Sequence, residues 1–194
     1  REALEAPEGE TDILLSESAF HEALDAEGKT WDVTLIESGW SKNGRYYPAD
    51  VIEAAAPLFE GLKIYAYGWN PQGLGMGHLP SAVRRSMPEG LAQNVVGVCE
   101  NQLVVSDGDK RAVKATFTFI DPAMRDKMRE AWSMGKRDFL GFSIDGKGDW
   151  AMGIAEGRRG PIVTRLKSLA EATLVSDPAA GGRFDRLVAS TEDN

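Results

Sequence analysis

The sequence predicts an α+β fold, with a mostly antiparallel, β-barrel-like core and helices around it. Three observations carry that expectation. Several runs alternate apolar and polar residues with a period of two, most cleanly Arg111–Ile120. Turn-forming pairs, Asn43-Gly44 and Asp107-Gly108, punctuate them. Only two stretches, Pro48–Gly61 and Asp121–Gly135, carry helix start and stop signals.

Residues 1–30 are acidic, with a short amphipathic piece around Ile13–Leu24, and read as an arm that folds only against something else. His21 lies there as a surface helix residue. The main domain is expected over residues 31–190, followed by a tail at 191–194. It opens with a strand from Trp31 to Glu37 and a turn at Asn43-Gly44. In the first helix Pro48 suits the first turn, and Val51, Ile52, Ala55, Leu58 and Phe59 share a face. Pro57 kinks or shortens this helix and Gly61 ends it. A strand at Leu62–Gly68 leads into a loop that carries His78. Gln93–Lys110 reads as a strand, a short continuation and a turn. In Arg111–Ile120, Val113, Ala115, Phe117 and Phe119 face one way; Lys114, Thr116 and Thr118 face the other. Asp121 caps the second helix, Pro122 takes its first position and Gly135 ends it, with Met124, Met128, Ala131 and Trp132 on the buried face. A strand around Ser143 follows, then a loop from Gly146 to Gly160, a long strand Pro161–Ser176, and a closing segment Asp177–Ser190. There is no internal repeat.

The 194 residues suit one compact domain with a substantial core. No apolar run approaches the roughly 20 residues that span a bilayer, and no signal-peptide pattern opens the chain, so no membrane partner is expected. The first residue is Arg1 rather than methionine, and the expectation is a fragment or a processed product. A net charge of −8 argues against nucleic acid, whose phosphates need a basic surface. The short basic pieces Val83–Ser86 and Glu156–Pro161 read as solvated loops. Two histidines and one cysteine argue against a zinc cluster, and no cofactor is expected. The lone Cys99 forbids an internal disulfide, fits a reducing compartment and reads as core packing.

Chemistry concentrates in "DFLGFSIDGKGDW", Asp138–Trp150. Leu140, Phe142 and Ile144 share one face of the strand; Gly141 and Ser143 share the other. The hydroxyl therefore faces away from the apolar three, and Gly141 leaves room there for a substrate backbone. A serine nucleophile needs a base, and His78 is the one histidine in the main domain. The base needs an acid to orient it, and Glu171 and Asp177 both follow the serine strand. Each residue also has an ordinary reading: a packed serine, a loop histidine, a carboxylate on an exposed sheet face, and a turn former before Pro178. A carboxylate at Glu171 in a strand core would be costly without a partner. Two other motifs fail. "GLGMG", Gly73–Gly77, lacks the helix and the Lys-Ser/Thr of a phosphate loop. "GFSID", Gly141–Asp145, has Asp where a nucleophile elbow needs Gly and cannot start the required helix.

Taken in order, "SGWSKNGRYYPADVIEAAAPLFEG", a loop histidine, "VVGV", "LGFSIDGKG" and "EATLVSDPAAGG" resemble the tailed-phage prohead proteases. These are capsid-maturation serine proteases related in fold to the herpesvirus assemblins. The resemblance runs from about Trp31 to Ser190 and leaves the acidic arm uncovered. It implies an assemblin-like fold and a serine endopeptidase with His78 in "GHLP" as base and Ser143 in "LGFSI" as nucleophile. Glu171 in "LAEATLVSDPA" would be the acid, with Thr173 where the family pattern has serine and with Asp177 as the alternative. Assemblins use a second histidine as third member; this chain has none on that strand. The related fold also implies an oxyanion loop just after that strand, here the backbone amides of Ala179, Ala180 and Gly181. The implied substrates are scaffolding and capsid proteins and the protease's own ends. The implied setting is the immature viral procapsid in the host cytoplasm, with activation on assembly into a dimer or higher homo-oligomer. Two rival classes stand beside it: a non-catalytic procapsid or scaffold component of the same fold, and a small ligand-binding β domain in which Ser143 is packed.

Overall fold

A computed structural model describes residues 28–67 and 90–188. The loop with His78, the "GLGMG" motif, the basic piece Val83–Ser86, His21 and nearly all of the acidic arm lie outside the described residues.

Among the described residues, nine strands form one sheet. They are β1 (Thr30–Glu37), β2 (Gly39–Trp40), β3 (Tyr46–Tyr47), β4 (Leu62–Tyr65), β5 (Val95–Asp107), β6 (Lys110–Phe119), β7 (Gly141–Ala155), β8 (Arg158–Val175) and β9 (Arg183–Val188). The helices are α1 (Ala49–Ala55), a single turn α2 (Gly90–Gln93) and α3 (Pro122–Ser133). The main path runs β9-β1-β6-β5-β4-β8, with β7 beyond β8 and the short β2–β3 pair joined to the first half of β8. Pairing is antiparallel except where β3 and β4 meet β8. The fold is thus mixed and β-rich, and the sheet curls strongly into a half-barrel.

The curl brings the two ends of the sheet together. A Cβ placed on Gly182, just before β9, would lie 2.0 Å from the Phe142 carbonyl oxygen. One on Gly141 would lie 2.3 Å from the Gly182 oxygen and 2.7 Å from Pro178 Cγ. Only glycine permits backbones to approach so closely. The expected room beside Gly141 is therefore filled by the chain itself, because the segment Pro178–Gly182 folds back over it.

The core is aromatic. Phe184 meets Phe142 with ring centroids 4.7 Å apart and Trp31 at 5.2 Å, and Phe117 meets Phe142 at 5.4 Å. All four are at most 3 % exposed, and each such side chain contributes about 1.5–3 kcal/mol of burial. The buried alternation Val113, Ala115, Phe117, Phe119 on β6 is as the sequence predicts. In α3 the Asp121 side chain accepts from the Met124 amide, and Met128 and Ala131 are buried. Trp132 stands edge-on to Trp31 at 5.0 Å. Pro48 caps α1 rather than entering it, and Pro57 ends it: the chain tightens into a 3-10 turn over Ala56–Phe59. Cys99 is fully buried, and burial pushes its thiol from 9.0 up to about 12.

One element departs from expectation. Gly146–Gly160 is not a loop: β7 continues to Ala155 and β8 begins at Arg158, joined by the two-residue turn Glu156-Gly157. Both turn residues have positive φ, 49° and 74°, the geometry that suits a twisted hairpin. The glycines that suggest a loop fit the ladder for a steric reason. A Cβ at Gly148 would lie 2.3 Å from the Arg165 oxygen, and one at Gly160 would lie 2.8 Å from the Trp40 ring. Trp40 fastens the hairpin further: its indole donates to the Ala155 carbonyl at 3.1 Å and the Arg158 guanidinium lies over the ring. Three register shifts leave Ala170, Lys167 and Thr164 of β8 without opposite residues, and such bulges increase twist.

Candidate active site

Phe142, locked between Phe117 and Phe184, fixes the backbone on which Ser143 stands. Side chains alternate, so Ser143 points to the other face of β7, where it is half-buried. Ser143 is directly opposite Thr173 on β8, and Asp145 is directly opposite Glu171. The four side chains therefore occupy two neighbouring rungs of one face. On the other flank of β8, Tyr65 of β4 is opposite Thr173, and its ring stacks on Tyr67 with centroids 5.9 Å apart.

Glu171 is only 3 % exposed. Its charge is accommodated by hydrogen bonds: the Tyr67 hydroxyl donates to one carboxylate oxygen at 2.7 Å and the Thr173 hydroxyl to the other at 3.4 Å. Burial, and then the nearby Glu171 charge, raise the Tyr65 hydroxyl above its ordinary pKa, so it stays protonated at neutral pH. Ser143, Asp145, Glu171, Thr173 and Tyr67 each have at least one further interaction, so none of these polar side chains is without a partner. Two carboxylates on one rung repel and favour a cationic or hydrogen-bond-donating group between them.

Asp177 sits elsewhere. It lies in the turn after β8, its side chain 75 % exposed and ion-paired with Lys42. Beyond it, the Ala179 carbonyl accepts from the Lys42 amide at 2.8 Å and the Ala180 carbonyl from the Glu37 amide at 3.0 Å. Gly181 has φ +78°, and a Cβ there would meet the Glu37 carboxylate. Glu37 is held in turn by Arg183 at 2.6 Å, and Glu37 with Asp185 keeps that guanidinium's pKa above its ordinary value despite desolvation. The loop is thus anchored through its carbonyls to the end of β1, while the amides of Ala179, Ala180 and Gly181 donate no hydrogen bond among the described residues.

Of the sequence-predicted residues, the structure brings Ser143 and Glu171 onto one face. It sets Asp177 on an exposed turn and makes Ala179–Gly181 part of the segment that folds back over Gly141. His78 is outside the described residues. Sequence reasoning did not single out Asp145, Tyr65 or Tyr67. The i, i+2 relation of Ser143 and Asp145 was a usable signal; the tyrosine contacts required the β4–β8 pairing. No protein-family model, curated protein or solved structure matches the chain.

Proposed function

We propose that this chain is a serine endopeptidase of the procapsid-maturation kind, with Ser143 as nucleophile, His78 as base and Glu171 as the acid that orients it. The carrying observation is the placement of Ser143 and the buried, hydrogen-bonded Glu171 diagonally across one antiparallel pair. Such diagonal neighbours are about 7–8 Å apart. That distance suits an imidazole making one hydrogen bond of about 2.6–3.2 Å on each side. Tyr67, whose hydroxyl is on Glu171, precedes His78 in the sequence by ten intervening residues.

In this reading His78 takes the Ser143 proton as the hydroxyl oxygen attacks a peptide carbonyl, and returns it to the leaving amine. Water then releases the acyl-enzyme by the reverse sequence. Glu171, and Asp145 opposite it, stabilise the imidazolium. The amides of Ala179–Gly181 receive the oxyanion after a small local adjustment. Scaffolding and capsid proteins are the proposed substrates, the immature shell the setting, and a homo-oligomer the active form.

A fluorophosphonate probe on the assembled protein tests the assignment. Wild type should label, Ser143→Ala should not, and His78→Ala should label far more slowly. Labelling that survives Ser143→Ala would remove the nucleophile, and an assembled wild type that never labels would leave the non-catalytic shell component as the better reading.

A further inference from the structure

The distal half of the β7–β8 hairpin is an apolar surface displayed to solvent. Trp150, Met152 and Ile154 are 59 %, 58 % and 73 % exposed, and they recur at every second position of β7, so they share a face. Among the described residues β7 is laddered only with β8. Alternate N–H and C=O groups of Gly148–Ala155 therefore point away from the sheet along an open edge. Proteins cover or blunt such edges, since they capture passing strands and apolar segments. The hairpin is also basic: residues 146–167 carry Lys147, Arg158, Arg159, Arg165 and Lys167 against Asp149 and Glu156.

The opposite charge is found in one place in the sequence. Residues 1–27 hold nine Asp or Glu and a single Arg, so they account for the whole net charge of −8 and the remainder is balanced. The same stretch contains Ile13, Leu14, Leu15, Phe20 and Leu24. It is also long enough. Trp40, whose indole meets the hairpin at Ala155, is twelve residues after Gly28; Leu15 is thirteen before it. We infer that the acidic arm docks on this hairpin through Ile13, Leu14 and Leu15, setting these side chains against Trp150, Met152 and Ile154 and the neighbouring carboxylates beside Arg159, which is directly opposite Ile154. The inference does not depend on the chemistry at Ser143.

Amide hydrogen exchange on the full chain tests it. Edge amides of Gly148–Ala155 should exchange slowly in wild type. They should exchange about tenfold faster or more in L14D/L15D and at high salt, with β6 amides unchanged as the control for folding. A photo-cross-linking benzoylphenylalanine in place of Ile13 should attach within residues 146–167. A product of monomer size assigns the arm to its own chain and one of dimer size to a second copy; either supports the docking. Hairpin exchange identical in wild type and L14D/L15D, or cross-links only outside residues 146–167, would overturn it.

Discussion

At the Phe142–Leu174 rung the β7–β8 ladder is backed by Phe117 and Phe184 and its apolar face is closed to water, whereas eight residues further along β7 begins a run, Trp150, Met152 and Ile154, that the sheet itself leaves uncovered. The near end is determined by volume: large rings fill one face, so the polar face opposite has a fixed backbone to stand on. The far end is shaped by what is missing, with glycines against the partner strand and three bulges in succession. One hairpin can therefore position a polar cluster and still offer an adaptable surface, because packing density changes along it while hydrogen bonding continues.

The comparison breaks most visibly at the acid. On the proposed assignment, Glu171→Gln should slow fluorophosphonate labelling about 10³-fold or more, while Asp177→Asn stays within about twofold, as removing an orienting acid has effects of that order. The opposite ranking would move the site off the ladder. Next comes stability: Phe142→Ala should cost about 3–5 kcal/mol in urea unfolding, and Trp150→Ala only about 1 kcal/mol, the contact with the docked arm being all it has to lose. Equal losses would mean that the far end is packed as tightly as the near one. Gly182→Ala should cost about 1–3 kcal/mol, since its new methyl group collides with a carbonyl that cannot rotate away.

The smallest effect is confined to alkaline pH. The Cys99 thiol is raised from 9.0 to about 12 by burial. The unfolded thiol ionises first, so below pH 9 this group leaves stability unchanged, and stability is lost as pH rises from about 9 toward 12. The stability difference between wild type and Cys99→Ala should drift accordingly. At pH 8 a thiol reagent should leave the native protein unmodified and react fully in urea.

Much of this was legible in the sequence. Period-two alternation located β6 and the inward face at Phe142, and the Asp121-Pro122 start and Gly135 stop located α3. The opposed parity of Phe142 and Ser143 predicted the outward hydroxyl. The distal hairpin was hidden because glycine has two uses, freedom in loops and closeness in ladders, and the letters "GKGDWAMG" do not distinguish them. A carboxylate at Glu171 is costly to bury, and the hydroxyl that offsets that cost comes from Tyr67, more than a hundred positions earlier, where no local pattern announces it. The opening expected beside Gly141 failed for a similar reason, since nothing local announces that Gly182 returns to occupy it.

That return has a mechanical consequence. Where β7 and the segment leading into β9 touch at Phe142 and Gly182, main chain rests on main chain with no side chain as a cushion, and that segment is tied through Ala180 to the end of β1. A displacement of β9 is thus delivered to the peptide unit next to Ser143 without slack, so the seam ties the position of the hydroxyl to that of a strand distant in sequence.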